Sequence, residues 1–302
     1  MGMAKRIFLF IVVNVLVITT ISIVLSLFNI QPYLSKAGIN YTDLLIVCFV
    51  WGMGGAFISL AISRIMAKWL MGVKLIDPKT RDPYQKELLE MVYGLAEKAN
   101  LPKMPEVGIY QSTEINAFAT GPTKSRSLVA VSSGLLERMD KEQVEGVLAH
   151  EVTHIANGDM VTMTLLQGII NAFVMFLARI LAYVLSGLGR NNQRGGSYGA
   201  FMIMTIIFQI VFMILGSMVV AWYSRRREFH ADAGGAHLAG SSKMIHALEG
   251  LKAYVNRRDP SHEKESLQAF KISNPGKKGF AMLFATHPPL EDRIKALKQS
   301  PN

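Results

Sequence analysis

Cysteine is nearly absent: Cys48 stands alone among 302 residues. A single thiol forms no internal disulfide and builds no thiolate zinc cluster, so a disulfide scaffold and a zinc finger are both excluded. Charge is scarce as well, at 18% of residues, where ordinary soluble domains carry about a quarter. The charge present leans one way, with 32 Lys+Arg against 22 Asp+Glu and a net charge of +10. Hydrophobic residues make up 50% and mean hydropathy is +0.28, so a disordered chain is excluded too. A basic, apolar chain points either to nucleic acid or to an anionic membrane surface. The placement of the apolar residues decides between them.

Four long uncharged runs stand out. The first extends from Ile7 up to Lys36. It is longer than the apolar core of a signal peptide, about 7–15 residues, and shows no small-residue cleavage site. It therefore reads as a retained transmembrane helix, which needs about 20 apolar residues. Leu44–Ser63 is 20 residues without a charge, and its Trp51, Gly52, Gly54 and Gly55 suit close helix packing. Met160–Ala178 adds 19 uncharged residues and Gly195–Ser224 adds 30. The chain thus divides into an N-terminal hairpin (1–69), a mixed segment (70–158), a second hairpin (159–224) that spans or lies shallowly, and a soluble segment (225–302). Lys5 and Arg6 precede the first run, Arg64, Lys68 and Lys74 follow the second, and Arg225–Arg227 follow the fourth. By the positive-inside rule both termini and the soluble segments face the cytoplasm, against which Arg190 and Arg194 weigh mildly.

The soluble segments carry ordinary signals. Tyr84–Asn100 places Leu88, Leu89, Val92, Leu95 and Ala96 on one helical face. Val107–Tyr110 and Ser127–Ser132 read as strands, with a turn expected at Ser133-Gly134. Asp140-Lys-Glu-Gln143 is a capping-box signature that opens a helix. A further helix is expected from Glu228 to about Asn256, then a polar stretch over 259–279 and a short C-terminal helix after Pro289.

At the end of the helix begun at Asp140 stands His150-Glu151-Val152-Thr153-His154. Histidines at i and i+4 share one helical face, so both imidazoles reach one metal ion, and the intervening glutamate is placed to act as general base on a water. Catalytic zinc needs a third protein ligand and an open position. No histidine follows at the metzincin spacing, where residue 160 is methionine. His230, His237, His246, His262, His287 and nearby carboxylates remain as candidates. Glu228 is favoured among them, because the second hairpin goes out and returns, bringing both of its ends to one surface. Asp232, one turn beyond, is placed to orient a ligand imidazole through its free ring N–H.

HEVTHIANGDM, SRRREFHADAGGA, the upstream NAFATGP and the late THPPLEDRI, in that order over nearly the whole chain, resemble the HtpX-type membrane zinc metalloproteases, bacterial relatives of the CAAX prenyl proteases. The resemblance implies a mixed α+β, gluzincin-type domain on the cytoplasmic face of four transmembrane helices. It implies one Zn2+ per chain held by His150, His154 and Glu228, with Glu151 as catalytic base. It also implies a bacterial inner-membrane protein acting in stress response on unfolded or misfolded membrane proteins. Asn116, Ala117 and Phe118 look like the family's substrate-binding edge strand, and His287 and Arg293 sit at its late His-Pro and following arginine, where either stabilises an oxyanion.

Other functions fit less well. An intramembrane protease would hold its motif inside an apolar run, whereas the residues before His150 are charged. A prenyl-protein processing protease would have more spans. A membrane scaffold or chaperone-like protein with a structural zinc is the alternative from a different class. No nucleotide is expected, because Gly121-Pro-Thr-Lys-Ser carries only part of a phosphate-binding loop. Nor is nucleic acid, since no aromatic-interleaved basic motif accompanies Arg225–Arg227.

Overall fold

The computed structural model describes residues 40–188, 198–257 and 283–299. The first apolar run and the polar stretch over 259–279 lie outside the described residues. Two compact units make up the rest. One contains the described residues up to Ser59 and Thr162–Val220; the other contains Leu60–Val161 and the residues from Ala221 onward.

Three long helices thread these units: α1 (Tyr41–Leu70), α5 (Asp159–Leu188) and α6 (Tyr198–Ala239), and each is long and apolar enough to cross a membrane. In the first unit α1 meets α5 at Gly52, where a Cβ would lie 2.6 Å from the backbone nitrogen of Ala172. Gly54 and Gly55, expected to share this role, face open space, and Trp51 is exposed. Cys48, Phe176 and Ile180 form the buried centre of this contact. The apolar side chains of Ile203, Ile207, Ile210 and Ile214 on α6 remain exposed, as lipid-facing residues do.

The second unit is an α+β domain. A four-stranded sheet runs in the order β1 (Lys74–Leu75), β2 (Glu106–Tyr110), β4 (Arg126–Ser132), β3 (Ala117–Thr123), parallel between β2 and β4 and antiparallel elsewhere. β4 is buried on both faces: Val129 and Val131 enter the main core, while Leu128 and Ala130 pack with Val73 and Tyr110 on the other side. β3 is left at an edge of the sheet. Helix α2 (Pro83–Lys98) starts where Asp82 accepts hydrogen bonds from the backbone N–H groups of Tyr84 and Gln85. It buries Leu88, Leu89, Val92, Leu95 and Ala96, the face its periodicity predicts.

Ser133-Gly134 does not form the expected turn. The Ser132 hydroxyl accepts from the Leu135 N–H and caps a short helix, α3 (Ser133–Arg138). Helix α4 (Lys141–Asn157) opens with the complete Asp140/Gln143 capping box and ends at Gly158, whose φ of 67° is left-handed. The expected continuous helix beyond Glu228 is broken at Gly240 (φ 98°), after which α7 (Ser241–Arg257) begins, and α8 (Leu290–Gln299) closes the described chain.

Candidate metal centre

Helix α4 carries His150 and His154 one turn apart, 5% and 8% exposed. Their rings meet edge to face with centroids 4.6 Å apart, and their Nε2 atoms lie 3.1 Å apart. Helix α6 supplies the third group. Glu228 is fully buried, with Oε2 3.4 Å from His150 Nε2 and Oε1 3.5 Å from His154 Nε2. Gly234 and Gly235 let α6 come this close: a Cβ at Gly234 would lie 2.3 Å from Thr153 Cγ2, and one at Gly235 would lie 3.1 Å from the His150 nitrogen.

Four ligands at about 2.0–2.1 Å around a tetrahedral ion are separated by about 3.3–3.4 Å. The two Nε2 atoms, 3.1 Å apart, are close to that spacing, each has one of the two Glu228 oxygens 3.4–3.5 Å away, and one donor atom from each of the three residues lies within 4.8 Å of the others. Among the described residues, His150, His154 and Glu228 are the group of metal-ligating side chains that could hold an ion. Three protein donors leave one position for water or substrate.

Both imidazoles are fixed from behind. Asp232 Oδ1 lies 3.0 Å from His150 Nδ1, and Asp159 Oδ2 lies 2.7 Å from His154 Nδ1. Each carboxylate accepts the Nδ1–H, so that loss of the Nε2 proton turns that lone pair toward the centre. Asp232 is itself gripped by Arg293, whose Nε and Nη2 donate to its two oxygens at 2.7 and 2.6 Å. Burial alone would lower the His150 pKa, but hydrogen bonds to Asp232 and Glu228 outweigh it and raise it to about 9. His154 is raised above the ordinary range in the same way: burial opposes the shift, and the hydrogen bonds to Asp159 and Glu228 prevail. Asp159 was visible in sequence only as part of an Asn-Gly-Asp run. Its role depends on Gly158, whose left-handed conformation ends α4 and turns the next residue back toward His154.

Several buried polar atoms at the centre have no aligned hydrogen-bond partner: Glu228 Oε2, His287 Nδ1 and Arg293 Nη1. Groups so buried ordinarily pair, so this set marks a place built for an ion, water or substrate. His287 Nδ1 lies 2.9 Å from Glu228 Oε2, and its segment is tied down by Arg225, whose Nη1 donates to the Ala285 carbonyl at 2.7 Å. Glu151 is 6% exposed, and its charge bears on both Tyr110 and Arg293. Burial pushes the Tyr110 phenol up to about 12; Asn116 beside it pulls the other way, and the charges of Glu114 and Glu151 add to the rise. Asn116 stands just before β3, and Ala117 and Phe118 open that strand. The other histidines lie elsewhere: His230 turns to the Arg226 carbonyl, His246 faces Asp140 and Glu142, and His262 lies outside the described residues.

Residues 83–300 match the model of Peptidase family M48. The chain belongs to peptidase family M48. Along its whole length this M48 peptidase is similar to the "Protease HtpX homolog" of Bacillus subtilis (strain 168), 55% identical over 303 residues, covering 98% of this chain and 99% of that one. It is 49% identical over 309 residues to the "Protease HtpX homolog" of Methylacidiphilum infernorum (isolate V4), with 99% and 100% covered. With "Protease HtpX" of Thioalkalivibrio sulfidiphilus (strain HL-EbGR7) it shares 49% over 296 residues, with 97% and 98% covered. The crystal structure of S. mikatae Ste24p shares its fold, with TM-score 0.55 and 16% identity over 93% of this chain. The M48 peptidase spans 64% of the length of that structure. It is an integral membrane metalloprotease.

Proposed function

We propose that this M48 peptidase is a zinc endopeptidase that cuts unfolded or misfolded membrane proteins. The observation that carries the reading is the convergence of His150 Nε2, His154 Nε2 and the Glu228 carboxylate at 3.1–3.5 Å, with Glu151 buried on the same helix. Two imidazoles and a carboxylate form a donor set suited to zinc, one ion per chain. When bound, zinc supplies the Lewis acid that polarises the scissile carbonyl and makes a water acidic enough to lose a proton near neutral pH. Glu151 takes that proton and passes it to the leaving nitrogen. Asp232 and Asp159 hold the imidazoles in the required tautomer, and Arg293 acts through Asp232. Of His287 and Arg293, we assign the oxyanion to His287, whose ring is the more exposed and is not committed to Asp232.

Asn116, Ala117 and Phe118 then receive substrate backbone along the free edge of β3. Strand addition requires an extended segment, and no phosphate-binding loop is present in the sequence to drive unfolding, so substrates are already loosened. This supports a role in membrane-protein quality control and stress response. The clustering of Lys and Arg at run ends supports a catalytic domain on the cytoplasmic face of a bacterial inner membrane, assembled from 70–158 and 225–302 around the hairpins 1–69 and 159–224, four spans in all.

The deciding experiment compares wild type with Glu151→Gln and Glu228→Ala, purified in detergent and loaded with zinc, on an unfolded membrane-protein substrate. Glu151→Gln keeps its metal and melting temperature and loses about 10²–10⁴-fold in cleavage rate. Glu228→Ala loses the metal itself. Unimpaired cleavage by Glu151→Gln rules the assignment out.

A further inference from the structure

A cavity of about 620 Å³ opens beside the start of β3 and shares no residue with the metal centre. Ile115 and Met139, both mostly buried, and Ala253 give it an apolar floor beside the Tyr254 ring, while Thr113, Gln143 and Arg138 supply polar groups around it. At its rim the Arg138 guanidinium lies over that ring, 5.4 Å from the centroid, rather than against a carboxylate among the described residues.

Its position relates it to the reaction. Thr113 and Ile115 line it and directly precede Asn116, so the cavity continues the line of the edge strand. Gln143 also lines it and lies seven residues before His150 on α4, a separation of about 10 Å at 1.5 Å per residue. An extended peptide covers about 3.3 Å per residue, so the same distance is about three substrate residues.

We infer that this cavity is a specificity pocket for an apolar, preferably aromatic, side chain of the substrate, three residues from the cleaved bond on the side that runs toward the start of β3. Ile115, Met139, Ala253 and the Tyr254 ring take the body of the side chain, and the outer face of the Arg138 guanidinium offers a ring a second stacking surface. The inference rests on the protease reading and on substrate pairing with β3. It adds to that reading a class of cleavage site: loosened segments rich in large apolar residues, which membrane proteins expose when they misfold.

The test uses the full-length, zinc-loaded protein in detergent and unstructured peptides with one cleavage site, varied at the second, third and fourth residues on each side of the bond among Phe, Leu, Gly, Asp and Lys. Phe or Leu at the third residue on one side raises kcat/KM about tenfold or more over Gly or Asp. Ala253→Trp, which fills the cavity, and Tyr254→Ala, which removes its wall, each reduce that ratio to about twofold or less; melting temperature and zinc content establish that each variant is folded. A flat profile, a preference for Asp, a preference centred on another residue, or a ratio unmoved in both variants overturns the inference. Absence of any cleavage by wild type instead overturns the protease reading beneath it.

Discussion

Two aspartates do similar work at the metal centre from different surroundings, and substitution separates them. Asp159 holds only His154 among the contacts described, so Asp159→Asn lowers zinc affinity about 10–100-fold and lowers melting less than the loss of Asp232 does. Asp232 also grips Arg293, which is 1% exposed and has Glu228 3.7 Å away as its remaining carboxylate, so Asp232→Asn weakens zinc and in addition costs about 1.5–3 kcal/mol through the lost charge-assisted hydrogen bonds. Chelator competition and thermal unfolding of the metal-free protein measure the two effects; equal melting temperatures for the two variants would contradict this division. The raised pKa of His150 adds a pH dependence. Without metal its proton is held up to about 9 against an ordinary 6.5, so its stabilising contribution is complete below about 6.5 and is lost as pH rises through about 9. Zinc requires the neutral ring, so the zinc affinity of the folded protein rises with pH until about 9, by up to tenfold per unit for this proton, as zinc titration at fixed pH steps will read. Sequence spacing made His150, Glu151 and His154 legible because a helix converts i, i+4 into one face. Asp159 was not legible as their partner, because its placement depends on one left-handed residue, Gly158, and spacing carries no information about φ.

Between elements, the decisive contact is the crossing of α6 over α4, which brings Glu228 to residues more than 70 positions earlier in the chain. It depends on Gly234 and Gly235. Alanine improves helix propensity by about 1 kcal/mol over glycine, but at Gly234 its Cβ would lie 2.3 Å from Thr153 Cγ2. That methyl cannot swing aside cheaply, because the β-branched Thr153 is buried and its hydroxyl donates to the Ala149 carbonyl at 2.8 Å. Overpacking of this kind costs about 1–3 kcal/mol, so the clash prevails over propensity. Gly234→Ala is therefore expected to melt lower and bind zinc more weakly. Adding Thr153→Ser, which deletes the methyl and keeps the hydroxyl, restores most of the affinity; no rescue would show that the crossing does not set the site. The elements themselves were largely legible where a local rule decides them: the apolar face of α2, the capping box of α4, the apolar run of β4. Local rules do not decide Ser133-Gly134, where a serine cap nucleates a helix instead of a turn, or Gly240, where one residue of positive φ divides an expected helix. Both were decided by backbone geometry at a single residue.

At the scale of the whole molecule, the charges that first implied nucleic acid act in two ways. Some tie helix ends to the domain: Lys68 and Arg64 both reach Glu106, at 2.8 and 3.4 Å, and Arg225 holds the segment before His287. All of them still count in setting orientation, because the positive-inside rule depends on Lys and Arg near the run ends and only weakly on acidic neighbours. The ion pair with Glu106 therefore does not cancel the orienting effect of Lys68 and Arg64, and the domain formed by Leu60–Val161 and the residues from Ala221 onward is expected in the cytoplasm. The chain is well suited to testing this, since its one cysteine, Cys48, is 1% exposed and can be replaced to give a thiol-free background. Tyr84, 85% exposed at the start of α2, then accepts a single new cysteine without loss of packing. A membrane-impermeant thiol reagent should leave Tyr84→Cys unmodified in cells with intact inner membranes and modify it fully in inverted vesicles. The reverse pattern would put the catalytic domain outside the cytoplasm, and with it the substrates: the enzyme would then meet misfolded segments on the far side of the membrane.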